Sequence, residues 1–154
     1  MPSIRDLFAM TDDHQLSYDA WPFYWLTRAH GRYQDALHSA LAGTGMDATS
    51  WRIVMILKEQ EWMSVSDIAG QSNTKLSTMT KAIQRMETAG HVTLRESPRD
   101  RRVTEVALTH IGRELVDVAV ETARHVFNRA FAGIGPERLQ LFKELLGDVA
   151  ENLR

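Results

Sequence analysis

Two clusters in this 154-residue chain carry the side chains best suited to chemistry. The first lies in "NTKLSTMTKAIQR", from Asn73 to Arg85. There Thr74, Lys75, Ser77, Thr78, Thr80 and Lys81 crowd hydroxyl and ammonium groups together, and Gln84 and Arg85 follow at helical spacing. The second is "SPRDRR", where Arg99, Asp100, Arg101 and Arg102 are consecutive. Neither has the layout of a catalytic site. No nucleophile elbow, phosphate loop or paired-carboxylate motif occurs, so an enzyme is not expected. Hydroxyls, an amide and cations at the start of a helix suit phosphate oxygens and base edges. Guanidinium groups at a hairpin tip suit a narrow, A·T-rich minor groove, and Asp100 is placed to hold one of them by a charge-assisted hydrogen bond.

Either cluster alone is explained as well by a helix cap or a solvated turn. Charge separates the readings. Residues 73–102 hold seven basic and three acidic side chains, a surplus of four, inside a chain of formal net charge −2. Residues 1–72 are acidic by four and residues 103–154 by two. A basic segment in an otherwise acidic chain points to a local polyanion contact.

The elements that must position these residues follow from periodicity and punctuation. A helix is expected over residues 20–42, with Leu26, Tyr33, Leu37 and Leu41 on one stripe, and it is broken by "GTGMD". A second is expected from about Thr49 to Gln60, and a short one from Val65 to Gln71 after a Ser64/Asp67 pair spaced like a capping box. Asn73 or Thr74 is expected to cap a longer helix that ends near Ala89, with Gly90 as its terminating glycine and Leu76, Met79, Ile83 and Met86 facing inward. "HVTLRE" and "VTEVAL" alternate as strands, with "SPRDRR" as the turn between them. A long helix from Thr109 to about Ala132 carries two apolar stripes, one through Ile111, Leu115, Val118, Thr122 and Val126, the other through Val116, Val120, Ala123 and Phe127, and so must be buried on two sides. After "GIGPE", a last helix carries Leu139, Phe142, Leu145, Leu146, Val149 and Leu153. Short helix, turn, longer helix and hairpin, in that order, make a winged helix-turn-helix: a mainly α fold with a small β-hairpin wing. A helix about 10–12 Å across fits a major groove about 12 Å wide.

From Asp67 to Leu115 the chain resembles the MarR (multiple antibiotic resistance regulator) family of transcriptional regulators. "STMTKAIQRMETAGHV" is similar to that family's recognition helix and first wing strand, and "SPRDRRVTEVALTHIG" to its wing, through Asp100, Arg102, Val106, Leu108, Thr109 and Gly112. The resemblance implies a homodimer built from the first and last two helices, a palindromic double-stranded DNA operator, and release by a small-molecule effector. It implies one domain over residues 1–154, with dimerisation helices at about 20–42 and 109–154 flanking a DNA-binding lobe at about 49–109. The different reading is a DNA-binding regulator without an effector, controlled by a protein partner or by competition for DNA.

For an effector, Trp21, Trp25, Arg28 and Arg32 share one helix face at spacings of 4, 3 and 4, with Trp51 and Arg52 opening the next helix. Aromatic walls with a guanidinium suit an aromatic acid or an acyl thioester. The competing explanation of the same tryptophans is a subunit interface. No cofactor and no metal are expected: there is no cysteine, and the six histidines lack ligand spacing. No apolar run approaches the ~18 residues of a membrane span, and "MPSIRDLFAMTDDHQ" lacks a signal peptide's basic start and apolar centre, so the expected compartment is the cytoplasm.

Overall fold

A computed structural model describes residues 18–154; the amino-terminal stretch read above for a leader, with His14, lies outside them. The described residues fall into two units, residues 18–35 and residues 36–154. In the first, a 3-10 turn at Tyr18–Ala20 leads into helix α1, Pro22–Leu41, whose final residues belong to the second unit.

The second unit continues with α2 (Ala48–Leu57), β1 (Met63–Ser64), α3 (Val65–Gln71), α4 (Leu76–Thr88), β2 (Val92–Glu96), β3 (Thr104–Leu108), α5 (His110–Ala130) and α6 (Pro136–Asn152). Its core is built by α2, which packs on α3, α4 and α5 through Ile53, Val54 and Leu57, all fully buried. Met79, Ala82, Ile83 and Met86 close it from α4, and Val92, Val106 and Leu108 from the sheet. No helix among the described residues is long and apolar enough to cross a membrane.

The sheet has three antiparallel strands in the order β1-β3-β2. β1 is too short for period-2 alternation to reveal it. Met63 pairs with Val106, and the chain turns at once into α3, capped by Ser64, whose hydroxyl accepts from the Asp67 N–H at 3.0 Å. Asp67 does not reach back to complete a capping box. Its shorter carboxylate accepts from the Ser64 hydroxyl at 2.6 Å instead.

α4 ends as expected. Gly90 adopts φ 76°, its N–H donates to Glu87 O, and the His91 N–H donates to Met86 O, which closes the helix with a Schellman motif. The start of α4 differs. Neither Asn73 nor Thr74 caps it. Asn73 sits in the left-handed region at φ 48°, and the Thr74 hydroxyl donates back to Ser72 O at 3.1 Å, so both complete the tight turn after α3. Lys75 takes the capping position without a side-chain hydrogen bond. Leu76 also departs from the inward stripe, being 54% exposed.

α5 starts where Thr109 caps it, the hydroxyl accepting from Gly112 N–H at 2.9 Å and donating to Gly90 O at 2.6 Å. Of the two stripes expected on α5, residues of one, Thr122 and Val126, are buried together with Ala119, while Ile111, Val118 and Phe127 are exposed. α6 has no buried residue; Leu141, Phe142, Leu145, Leu146 and Val149 are exposed, as is Leu153 just past its end.

Candidate nucleic-acid interface

The outward face of α4 presents Lys75, Ser77, Thr78, Lys81, Gln84 and Arg85, all exposed. Since no side chain caps the helix, its first N–H groups are left for an outside acceptor, and the positive end of the helix dipole lies there too. Thr74 and Thr80 differ from their neighbours. Both are half-buried, and each hydroxyl donates to a backbone carbonyl, that of Thr80 to Leu76 O at 2.9 Å. Arg85 is engaged as well: its guanidinium meets Asp47 at 2.8 Å. Asp47 is the cap of α2 and accepts from Ser50 N–H at 2.7 Å, so one carboxylate ties α4 to the start of α2. Partial burial pushes the Asp47 carboxyl up, but hydrogen bonds from Ser50 and Thr49 and the charge of Arg85 outweigh it, leaving it below the usual carboxylate value.

At the wing tip Arg99, Arg101 and Arg102 are exposed. Asp100 grips Arg102 with both oxygens, at 3.1 Å to Nε and 3.0 Å to a terminal nitrogen, and also accepts from the Arg102 backbone N–H at 3.0 Å. These hydrogen bonds lower the Asp100 carboxyl below its ordinary value and raise the Arg102 guanidinium above its own. The bidentate grip leaves the remaining N–H groups of Arg102 pointing outward, with the side chain 90% exposed.

The base of the wing is held by a group that spans three elements. Arg95 on β2 lies opposite Glu105 on β3 and pairs with it at 2.8 Å. Its guanidinium also stacks 3.8 Å from the ring centre of Trp62, just before β1. The buried Ser97 hydroxyl donates to the other Glu105 oxygen at 2.8 Å. The hydrogen bonds from Arg95, then Ser97, hold the Glu105 carboxyl below its usual value. Of the seven cations counted in residues 73–102, Arg85, Arg95 and Arg102 are therefore committed to carboxylates. Lys75, Lys81, Arg99 and Arg101 have no ion-pair partner among the described residues. Asp47 and Glu105 come from outside the segment, so its surplus falls from four to two. What survives is concentrated at the start of α4 and the wing tip.

In the first unit, Trp21, Trp25 and Arg28 stand on α1 or at its start, with Tyr24 among them. The Trp25 indole donates to Asp19 O at 2.7 Å and meets the Tyr24 ring edge-on at 5.0 Å. Arg28 lies over the Tyr24 ring and donates to its hydroxyl at 3.2 Å. Trp21, Trp25, Arg28 and Arg32 are all exposed. In the second unit, Trp51 is half-buried and its indole N–H donates to Ala119 O at 3.0 Å, which pins α2 to α5 and leaves only the ring for any ligand. Arg52 turns a terminal nitrogen toward Ala48 O at 3.5 Å. An open groove of about 570 Å³ runs along α5 beside the end of α1, lined by Ala40, Asp117, Val118, Glu121, Thr122 and His125.

Residues 46–104 match the MarR family. The HTH-type transcriptional repressor IacR of Pseudomonas putida is 38% identical over 133 residues, which cover 86% of this chain and 80% of that protein. This chain belongs to the MarR family. Two solved structures share the fold of this MarR-family chain. BpsR of Bordetella bronchiseptica, whose DNA binding is regulated by 6-hydroxynicotinic acid, superimposes with a TM-score of 0.80 at 22% identity, over 88% of this chain and 97% of its own. CouR of Rhodococcus jostii RHA1, bound to p-coumaroyl-CoA, does so at 0.80 and 23%, over 88% and 96%. This MarR-family chain is a DNA-binding transcriptional regulator with a winged helix, whose wing is the β2–β3 hairpin.

Several contacts of this MarR-family chain were missed in the sequence. Tyr24 had a local signal, three residues after Trp21 and four before Arg28. Asp47–Arg85 and Trp62–Arg95 had none, because their partners lie far apart in the chain and meet only when the lobe folds.

Proposed function

We propose that this chain is a homodimeric repressor that binds a palindromic operator and leaves it when a small molecule, an aromatic acid or its acyl thioester, binds. The observation that carries the DNA contact is the uncapped, hydroxyl-rich start of α4 beside the Asp100-braced arginines of the wing. Thr74, Lys75, Ser77, Thr78, Thr80, Lys81, Gln84 and Arg85 serve the major groove. Thr74 and Thr80 act there through position more than through free hydroxyls, and Arg85 acts from its Asp47 anchor. Arg99, Arg101 and Arg102 serve phosphates or the adjacent minor groove.

Homodimerisation is supported by α6, where five large apolar side chains stay exposed, with Leu153 just beyond its end; apolar surface on that scale marks an interaction face. In this reading residues 20–42 and 109–154 are the dimerisation helices of one domain, and the protein works in the cytoplasm, where its operator is. An effector is supported by the ligands of BpsR and CouR, one an aromatic acid and one an acyl thioester. Within this chain Trp21, Trp25, Arg28, Arg32, Trp51 and Arg52 are the residues suited to such a ligand, with Arg28 the first choice for its acidic group.

Selection of duplexes from a random library by the purified protein tests the reading. The expected product is a two-fold symmetric site with half-sites about one helical turn, roughly 10 bp, apart. A single asymmetric site contradicts the dimer, and recovery of no preferred sequence contradicts the DNA reading. A thermal-shift screen with aromatic acids and their thioesters should then find a compound that raises the melting midpoint and releases that duplex.

A further inference from the structure

Leu76 is the one apolar residue of the α4 stripe that the fold leaves outside. Met79, Ile83 and Met86 are 3% exposed or less, and Leu76 is 54% exposed. The cause is its place at the first helical position. Helical side chains tilt toward the N-terminus and cover the turn before their own, and the first residue has no such turn. The Leu76 side chain therefore projects past the end of the helix, and it lines a cleft of about 370 Å³ between α4 and the wing together with Leu94, Val103 and Arg102. Exposed Lys75, Ser77 and Thr78 stand on either side of it.

An apolar protein partner is a poor match for this spot, since Lys75 adjoins it and Lys81, Arg99 and Arg101, in the same basic segment, have no carboxylate partners among the described residues. Duplex DNA matches the charge, and one of its base edges matches the leucine. In the major groove every base presents nitrogen or oxygen atoms, and only thymine adds a methyl group. A side chain without polar atoms gains from that edge and from no other.

We propose that Leu76 reads a thymine methyl at a fixed position of each half-site and is a specificity-determining residue of the DNA contact. The proposal rests on the DNA-binding function given above.

The test uses the full-length protein and the duplex it selects from a random library, with each half-site thymine replaced in turn by deoxyuridine, which lacks only the methyl. At one thymine the parent should lose affinity roughly fourfold, the factor that one buried methyl-sized group supplies. Leu76→Ala should bind the thymine and deoxyuridine duplexes equally at that position, with its melting midpoint and salt slope unchanged, since an exposed neutral side chain is removed. A half-site without thymine, a parent indifferent to every deoxyuridine, or a loss that persists in Leu76→Ala overturns the assignment while the DNA function stands. Failure to select any duplex overturns both.

Discussion

Gly112 offers a substitution whose sign depends on tertiary structure. It lies in the first turn of α5, and on helix propensity alone Gly112→Ala should stabilise the protein by about 1 kcal/mol. The fold reverses this. A methyl group at Gly112 would overlap the His91 carbonyl, with backbone rather than a flexible side-chain tip as the obstacle. That carbonyl is held in place: it accepts from Thr109 N–H at 3.0 Å and from the Thr109 hydroxyl at 3.2 Å. The Thr109 hydroxyl in turn caps α5 through Gly112 N–H and reaches Gly90 O. Making room means moving the start of α5 away from the α4–β2 junction and straining that network. Overpacking costs about 1–3 kcal/mol, and a buried carbonyl losing its partners adds about 1–3 kcal/mol. Against the helix gain, the net is a destabilisation of about 1–5 kcal/mol, or a fall in melting midpoint of roughly 2–20 °C for a chain of this size. Gly147, inside α6, has nothing within 4 Å of an added methyl group, so Gly147→Ala should raise the midpoint by about 2–4 °C. Circular-dichroism melts of both variants and the parent at one protein concentration decide the matter. A Gly112→Ala protein that melts at or above the parent refutes the claim that this contact sets the position of α5.

Arg102→Ala should weaken operator binding and reduce its salt slope by about one, as loss of one cation–phosphate contact requires; anisotropy titrations over a salt series check it, and an unchanged slope removes Arg102 from the interface. Glu105 titrates below its ordinary value because Arg95 and Ser97 stabilise its charged form, so its contribution is fully present at neutral pH and disappears as pH falls through that lowered value. The fluorescence contributed by Trp62, taken as the difference between the parent and Trp62→Phe, should accordingly change on acidification and stay flat in Glu105→Gln; a parallel change in both means the ion pair does not control the stack. Arg28→Ala should shift the inducer dose-response for DNA release to higher concentration while leaving inducer-free operator affinity nearly unchanged, and overlapping curves would assign Arg28 a purely structural role.

Much of this protein was legible in its sequence because the relevant signals are local. Gly90 ends α4, Ser64 starts α3 and Pro136 opens α6, each through hydrogen bonds or φ preferences within a few residues. Wing strands could be read from alternation, and the Asp100–Arg102 brace from two residues of the same turn. The tertiary structure decided matters that depend on distant partners or on where an element ends. Asp47, 38 positions before Arg85, takes charge from the outward face of α4, and Trp51 meets a carbonyl 68 positions away. Neither pairing leaves a periodic trace, because periodicity records which face is buried and not what covers it. Asn73 and Thr74 have the composition of caps, yet the turn after α3 needs a left-handed residue and an extra hydrogen bond, and that need takes precedence. Leu76 fits the apolar spacing of α4, but spacing assumes a helical turn beneath each side chain, and at the first residue of a helix there is none.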